Sequence, residues 1–207
     1  LIDNVKTQVK DIEIREVPGV ARNISLKKAW NLMQDANVVT LPAVTENNVL
    51  EGLITVGDIT KSYMNVLDSS ILSKACTQYS NIVETLEGAI LIGDENAYFN
   101  EGKVLIAAAN PDMMEYYIDK HDLVILGNRY ESQLCAIEMR AGCIIVCEGA
   151  KVSMTIKKLA EEHGCKVIST PFDTFTAASL INQSMPIGYF MKTDKIISFD
   201  IEDYTDE

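Results

Sequence analysis

The 207 residues carry 18 Lys and Arg against 30 Asp and Glu, a formal net charge of −12, and 47% of them are hydrophobic. That apolar share, spread along the whole chain, excludes a disordered protein, and the charge opposes nucleic acid and anionic membrane, which bind by releasing counterions to a basic face. Domains run to about 100–150 residues, so the length admits one core or two.

Five cysteines, Cys76, Cys135, Cys143, Cys147 and Cys165, are odd in number, mostly sit in apolar runs and form no CxxC pair, so no disulfide framework is expected. With only His121 and His163 as histidines, a transition-metal site would need carboxylates for most of its ligands, and none is expected in this chain. No apolar run reaches the ~20 residues needed to cross a bilayer, and the opening residues, with Asp3 and Lys6, lack a signal-peptide core. A cytoplasmic location is the expectation.

In chain order, residues 12–17 read as extended chain, Pro18 and Gly19 as a turn, and Ser25 as the N-cap of a helix whose apolar positions Leu26, Ala29, Trp30 and Met33 recur at helical spacing. Trp30, on the apolar face of this helix, is either core or pocket wall, with core the favoured reading. A strand over 38–44, a turn at 46–48 and a strand over 49–56 follow, then a helix over 60–67 whose first N–H groups Asp58 is placed to receive. The unit is β-α-β-β-α.

A polar, helix-compatible stretch over 71–84 marks the boundary. Beyond it, short apolar strands are predicted at 89–92, 104–107, 123–126, 143–147 and 167–169, with helices over 113–120, 132–140 and 153–163 as crossovers, and Gly164 as a helix C-cap. Strands alternating with helices of crossover length predict an α/β fold with a mainly parallel sheet. The acidic stretch 84–101 reads as a solvated loop. Past Pro186 the tail "MKTDKIISFDIEDYTDE" resembles the opening segment again, with a strand at 196–199, and the chain is expected to stop inside a third unit.

The clearest constellation is Thr40, two residues before the rigid Pro42, with Thr55 and Asp58 at a strand end leading into a helix. A carboxylate at a helix N-terminus can accept both hydroxyls of a ribose, and a nearby threonine and strand-end amides can meet phosphate. The same spacing also describes a plain helix cap beside two ordinary strand threonines.

These residues resemble the cystathionine-β-synthase-type (CBS) domain, with its Thr/Ser-x-Pro strand and its Gly-h-h-T-x-x-D junction appearing as Thr40, Pro42, Gly52, Thr55 and Asp58. Such domains pair into Bateman modules that bind adenosine nucleotides in the cleft between copies. The resemblance implies that Val38, Val39 and Pro42 flank adenine, that the backbone near Val17 and Pro18 reads its edge, that Thr55 reaches ribose or phosphate, and that Asp58 holds the ribose hydroxyls. Lys27 is a candidate phosphate partner on charge alone.

Residues 69–185 resemble the DRTGG domain through "GNRYESQLCAIEMRAGCIIVCEGA" and "KVISTPFDTFTAASLI". The naming Asp-Arg is here Asn128-Arg129 and the Thr-Gly-Gly is Glu148-Gly149-Ala150, which weakens any anion site built on those glycines. Asp173 is read as a helix N-cap. The expected division is a first CBS unit over 1–68, a DRTGG unit over 69–188 and the start of a second CBS unit over 189–207.

That order is similar to the regulatory insert of family II inorganic pyrophosphatases of anaerobic bacteria, which hold manganese or cobalt in separate catalytic domains. The resemblance implies a nucleotide-sensing regulatory region, inhibited through AMP or ADP and activated through ATP or a diadenosine polyphosphate, working as a homodimer on pyrophosphatase domains outside the chain. The competing readings are a homodimerisation module with a vestigial pocket, and an enzyme using Cys143 or Cys147 as nucleophile and His163 as base, which the apolar setting of both thiols opposes.

Overall fold

The computed structural model describes residue 8, residues 16–64 and residues 68–191. Of the extended segment predicted over 12–17 only residues 16 and 17 are described, and they form no strand; the strand predicted over 196–199 and all but residues 189–191 of the expected third unit lie outside the described residues.

Ser25 opens α1 (Leu26–Asp35), its hydroxyl accepting the Lys28 N–H at 3.1 Å. Leu26, Ala29 and Met33 form the buried stripe. Trp30, expected in the core, is 39% exposed; it lies at the margin of that stripe, a turn above Leu26, where the ring is only half covered. β1 (Thr40–Val44) and β2 (Leu50–Thr55) pair antiparallel with Thr40 opposite Thr55. The connecting turn places Asn48 at φ 61, a left-handed conformation that asparagine tolerates. Val20 joins the hairpin by a parallel bridge to Ala43, with Val20 N–H donating to Pro42 O and Val44 N–H to Val20 O.

α2 (Val56–Met64) begins four residues before the predicted helix, because the cap lies at Thr55 and not at Asp58. The stretch over 71–84 divides into α3 (Ile71–Lys74), β3 (Thr77–Gln78) and α4 (Tyr79–Thr85). The stretch 84–101 is not one solvated loop. It supplies β4 (Ala89–Ile92) and β5 (Tyr98–Phe99), the latter paired with β3 and burying Phe99. Two-residue strands carry no alternation that a sequence could show.

β6 (Val104–Ile106), α5 (Pro111–Met114), β7 (Leu123–Leu126), α6 (Tyr130–Glu138), β8 (Cys143–Val146), α7 (Met154–His163), β9 (Lys166–Ser169) and α8 (Thr174–Leu180) complete the chain, followed by 3₁₀ turns at Ile181–Ser184 and Ile187–Tyr189. The helix expected over 113–120 is shorter and earlier than its apolar pattern implied: Pro111 at the first helical position starts α5 early. Its last turn loosens into the bonds Tyr116 N–H to Met113 O and Tyr117 N–H to Met114 O. Gly164 caps α7 at φ 68 as predicted.

The main sheet has the order β4-β9-β8-β7-β6, parallel from β6 to β9, with β4 as an antiparallel edge. Because the chain steps across the parallel strands in one direction, right-handed crossovers set α5, α6 and α7 on one face. There Val124, Leu126, Ile144, Val146 and Val167 bury against Met114, Ala136, Ile156 and Ala160. On the opposite face Leu123, Ile125, Ile145 and Ile168 join Ile82, Ala177 and Ile181 in a cluster that runs on into Leu26, Met33, Leu41 and Ile54 of the first segment. The core of the hairpin unit is therefore continuous with one face of the sheet.

Backbone bonds make the same junction. Leu26 N–H donates to Met185 O, Ile187 N–H to Ile24 O and Gly188 N–H to Arg22 O, around a bridge between Ser25 and Pro186. The side chain of Asn81 donates to Asn23 O at 2.9 Å.

Candidate functional site

The two threonines and Asp58 converge where β1 starts and β2 ends. Thr55 and Asp58 are locked reciprocally: the Asp58 carboxylate accepts the Thr55 N–H at 3.1 Å and its hydroxyl at 2.6 Å, while Thr55 Oγ1 accepts the Asp58 N–H at 3.2 Å. This is a capping box with aspartate in the third helical position, and it satisfies an orphan amide of α2. Asp58 is only 5% exposed, so the lock fixes a buried carboxylate in a single orientation. The expectation that Asp58 receives the first N–H groups of its helix is thus amended. It takes the amide and hydroxyl of Thr55, and the threonine caps the helix. The T-x-x-D spacing was the signal for this arrangement.

Val56 N–H donates to Val39 O at 3.0 Å, so the strand-to-helix junction is pinned to the residues just before β1. Val38 donates its N–H to Met33 O and packs half-buried on the core, while the Val39 side chain is 71% exposed. Val38, Val39, Thr40, Thr55 and Asp58 thus lie at one end of the hairpin, and half-buried Pro42 lies further along β1 with its carbonyl held by Val20. Val17 is half-buried and Pro18 exposed in the segment that leads to the Val20–Ala43 bridge. Lys27 is engaged elsewhere: its ammonium donates to Thr85 O at 3.0 Å and pairs with Glu87 at 3.6 Å.

In the sheet unit, Asn128 and Arg129 follow β7, and Glu148 and Gly149 follow β8. Both amides of the latter loop are spent on the chain itself, Glu148 N–H on Phe172 O and Gly149 N–H on Thr170 O, each at 2.8 Å. They form a structural tie to the segment after β9 and leave no nest of amides for an anion. Asp173 caps α8 by accepting the Thr176 N–H at 2.9 Å, as its sequence position implied.

Cys76 is exposed, whereas Cys135, Cys143, Cys147 and Cys165 are buried and have the character of packing residues. Burial pushes the Cys143 thiol well up, the Cys165 thiol to about 12, and the Cys135 and Cys147 thiols upward, all away from the reactive thiolate. Cys147 follows β8 at the carboxyl edge of the sheet, whereas His163 precedes β9 at the amino edge with Nδ1 on Ile137 O, so the fold separates Cys147 from the proposed base. Cys143 opens β8 at the amino edge, but it is fully buried in the sheet and its thiol is held well away from the thiolate.

The chain belongs to the DRTGG domain family, which matches residues 81–184, and carries a CBS domain matched over residues 9–65. It joins a CBS domain and a DRTGG domain in that order. It is 37% identical to a solved structure of the CBS and DRTGG domains of the regulatory region of Clostridium perfringens pyrophosphatase, complexed with its activator diadenosine tetraphosphate; the TM-score is 0.86, with 96% of this chain and 88% of that chain covered. Over its full length it is also 37% identical to 38% of the cobalt-dependent inorganic pyrophosphatase of Clostridium perfringens. Over 92% of its length it is 26% identical to 34% of the probable manganese-dependent inorganic pyrophosphatase of Thermotoga maritima. The chain thus spans a little over a third of the length of these curated relatives.

Proposed function

We propose that this region binds adenine nucleotides at the Thr40, Thr55 and Asp58 end of the hairpin and regulates a pyrophosphate-hydrolysing domain outside the chain. The observation that carries the reading is the Thr55–Asp58 lock. A buried carboxylate held at a strand-to-helix junction, beside exposed Val39, suits a ribose diol flanked by apolar contacts for a base. The activator in the similar Clostridium perfringens region supports an adenine nucleotide as the ligand. AMP or ADP is proposed to inhibit, and ATP or a diadenosine polyphosphate to activate, with the residues beyond 188 supplying the start of a second CBS unit.

Regulation requires a ligand to bind two states unequally, typically by 1–3 kcal/mol. The continuous cluster from Leu41 and Ile54 to Ile125 and Ile145 gives the hairpin a rigid connection to the sheet through which such a preference acts. Manganese or cobalt belongs, in this reading, to the catalytic domains; among the described residues no group of three or more His, Cys, Asp or Glu is placed to hold a metal ion. No helix of the described residues is long and apolar enough to cross a membrane.

Calorimetric titration with AMP, ATP and diadenosine tetraphosphate tests the reading. Asp58→Ala is expected to weaken binding about ten-fold or more, the scale of one or two lost charge-assisted hydrogen bonds. Undiminished affinity in that variant would remove the site from the hairpin end.

A homodimer is proposed on a separate observation. Met113, Tyr130, Met154 and Phe175, which are 58%, 41%, 66% and 80% exposed, belong to the helices that follow the carboxyl ends of the parallel strands. Large apolar side chains concentrated at one edge mark an association surface. Sedimentation equilibrium of the wild type against Phe175→Ser measures whether a dimer depends on it.

A further inference from the structure

The amino edge of the sheet carries a second cluster that nucleotide sensing does not use. Three turns lead into β7, β8 and β9, and each passes through a left-handed residue: His121 at φ 72, Arg140 at φ 65 and Gly164 at φ 68. Glycine meets this conformation without strain. At two of the three turns the chain instead places a basic side chain there.

The turns enclose a cavity of about 370 Å³ lined by Lys120, His121, Arg140 and His163 together with Gly142 and Gly164. Both histidines of the chain are in it, and no carboxylate lines it. Among the described residues neither Lys120 nor Arg140 forms an ion pair; the nearest acidic contact is Glu101, 3.6 Å from His121 Nε2. An adjoining cavity of about 220 Å³ shares His121, Gly142 and Gly164 and adds Lys166, the carboxylate of Glu101 and the Tyr79 ring, over which the Lys166 ammonium sits at 4.6 Å; the anion is therefore placed in the larger cavity.

Basic residues at helix C-termini also neutralise helix dipoles, and α6 and α7 both end here. Each end contributes about half a negative charge, so Lys120 and Arg140 leave roughly one positive charge in the larger cavity before either imidazole is protonated. In a chain with a net charge of −12, a concave site of the opposite sign focuses small anions where the rest of the surface repels them.

We propose that this cleft is a binding site for condensed phosphate, with room for more than one phosphoryl group, spatially separate from the Thr55–Asp58 end of the hairpin. The ligand is either free inorganic oligophosphate or the phosphate tail of a nucleotide.

The test is calorimetric titration of the 207-residue chain with inorganic tripolyphosphate, and separately with ATP and adenosine, in ~0.1 M salt, where diffuse surface charge is largely screened beyond about 10 Å. Saturable tripolyphosphate binding is expected, weakened about ten-fold or more by Lys120→Glu with Arg140→Glu, and unchanged by Lys151→Glu with Lys158→Glu on exposed parts of the same unit. Lys120→Glu alone, at an exposed position, is expected to weaken it several-fold even if the double variant fails to fold. Asp58→Ala is expected to spare tripolyphosphate, which separates this site from the nucleotide site. ATP binding that survives Asp58→Ala but is lost with the cleft reversal identifies a nucleotide tail as the occupant, while tripolyphosphate alone identifies the free anion. Absent saturable binding, equal losses in both reversal pairs, or loss through Asp58→Ala would each overturn the proposal.

Discussion

The two halves of this molecule solve the burial problem differently. In the parallel sheet Leu123–Leu126 and Cys143–Val146 are buried on every residue, so both faces are covered from within the unit or by its neighbour. The hairpin alternates, with Leu41, Ala43 and Ile54 buried and Pro42 half-buried or Leu53 exposed between them, and it completes its core by sharing one face of the sheet. A unit with one covered face depends on its neighbour for stability, and in the proposed function that dependence couples a ligand on one unit to the other.

Adjacent residues of β8 separate the two arrangements most sharply. Ile144 packs under α6 and α7, and Ile145 lies in the cluster shared with the hairpin, both fully buried. Truncation of either to Ala is expected to cost about 2–4 kcal/mol in urea denaturation. Only Ile145→Ala is expected to alter nucleotide affinity as well. Equal effects on affinity would mean that the junction carries no coupling.

A pH titration compared between the wild type and a cysteine variant isolates a contribution of the sheet half. Because the folded-state thiols of Cys143 and Cys165 are raised above the ordinary value of 9.0, the unfolded chain loses its protons first. Their contribution to stability is whole below pH 9 and falls as pH rises through the interval up to about 12 for Cys165. The slope reaches about 1.4 kcal/mol per pH unit for each thiol. Denaturant midpoints between pH 8 and 10.5 are expected to drop less steeply in Cys165→Ala than in the wild type.

The helix caps give a finer comparison. Ser25 and Ser153 make equivalent bonds at 3.1 and 3.2 Å, but Ser25 is buried at the junction and Ser153 is exposed. Replacement by Ala is expected to cost about 2 kcal/mol at Ser25 and about 1 kcal/mol or less at Ser153, read from thermal unfolding. The smallest change is expected from Trp30→Ala, about 1 kcal/mol, since the ring at the edge of its stripe is only partly removed from water.

Much of this was legible in the chain. The runs that became β4, β7, β8 and β9 are short, apolar and bounded by turns, so local pattern was enough, and the caps Ser25, Asp173 and Gly164 were found because capping chemistry is local. The reading failed where the deciding partner is distant. β3 and β5 exist only because they pair with each other across twenty residues, Trp30 is set by how far the stripe of α1 turns toward its neighbours, and Lys27 is bound to a carbonyl 58 residues away.

Sequence alone determined the two kinds of unit, their order, and the residue types at the hairpin end, because propensity, periodicity and capping act within a few residues. Tertiary structure decided that the hairpin shares its core with one face of the sheet and that four basic side chains from three separate turns line one cleft. Those outcomes depend on crossover handedness and long-range register, which bring together residues that no local pattern relates.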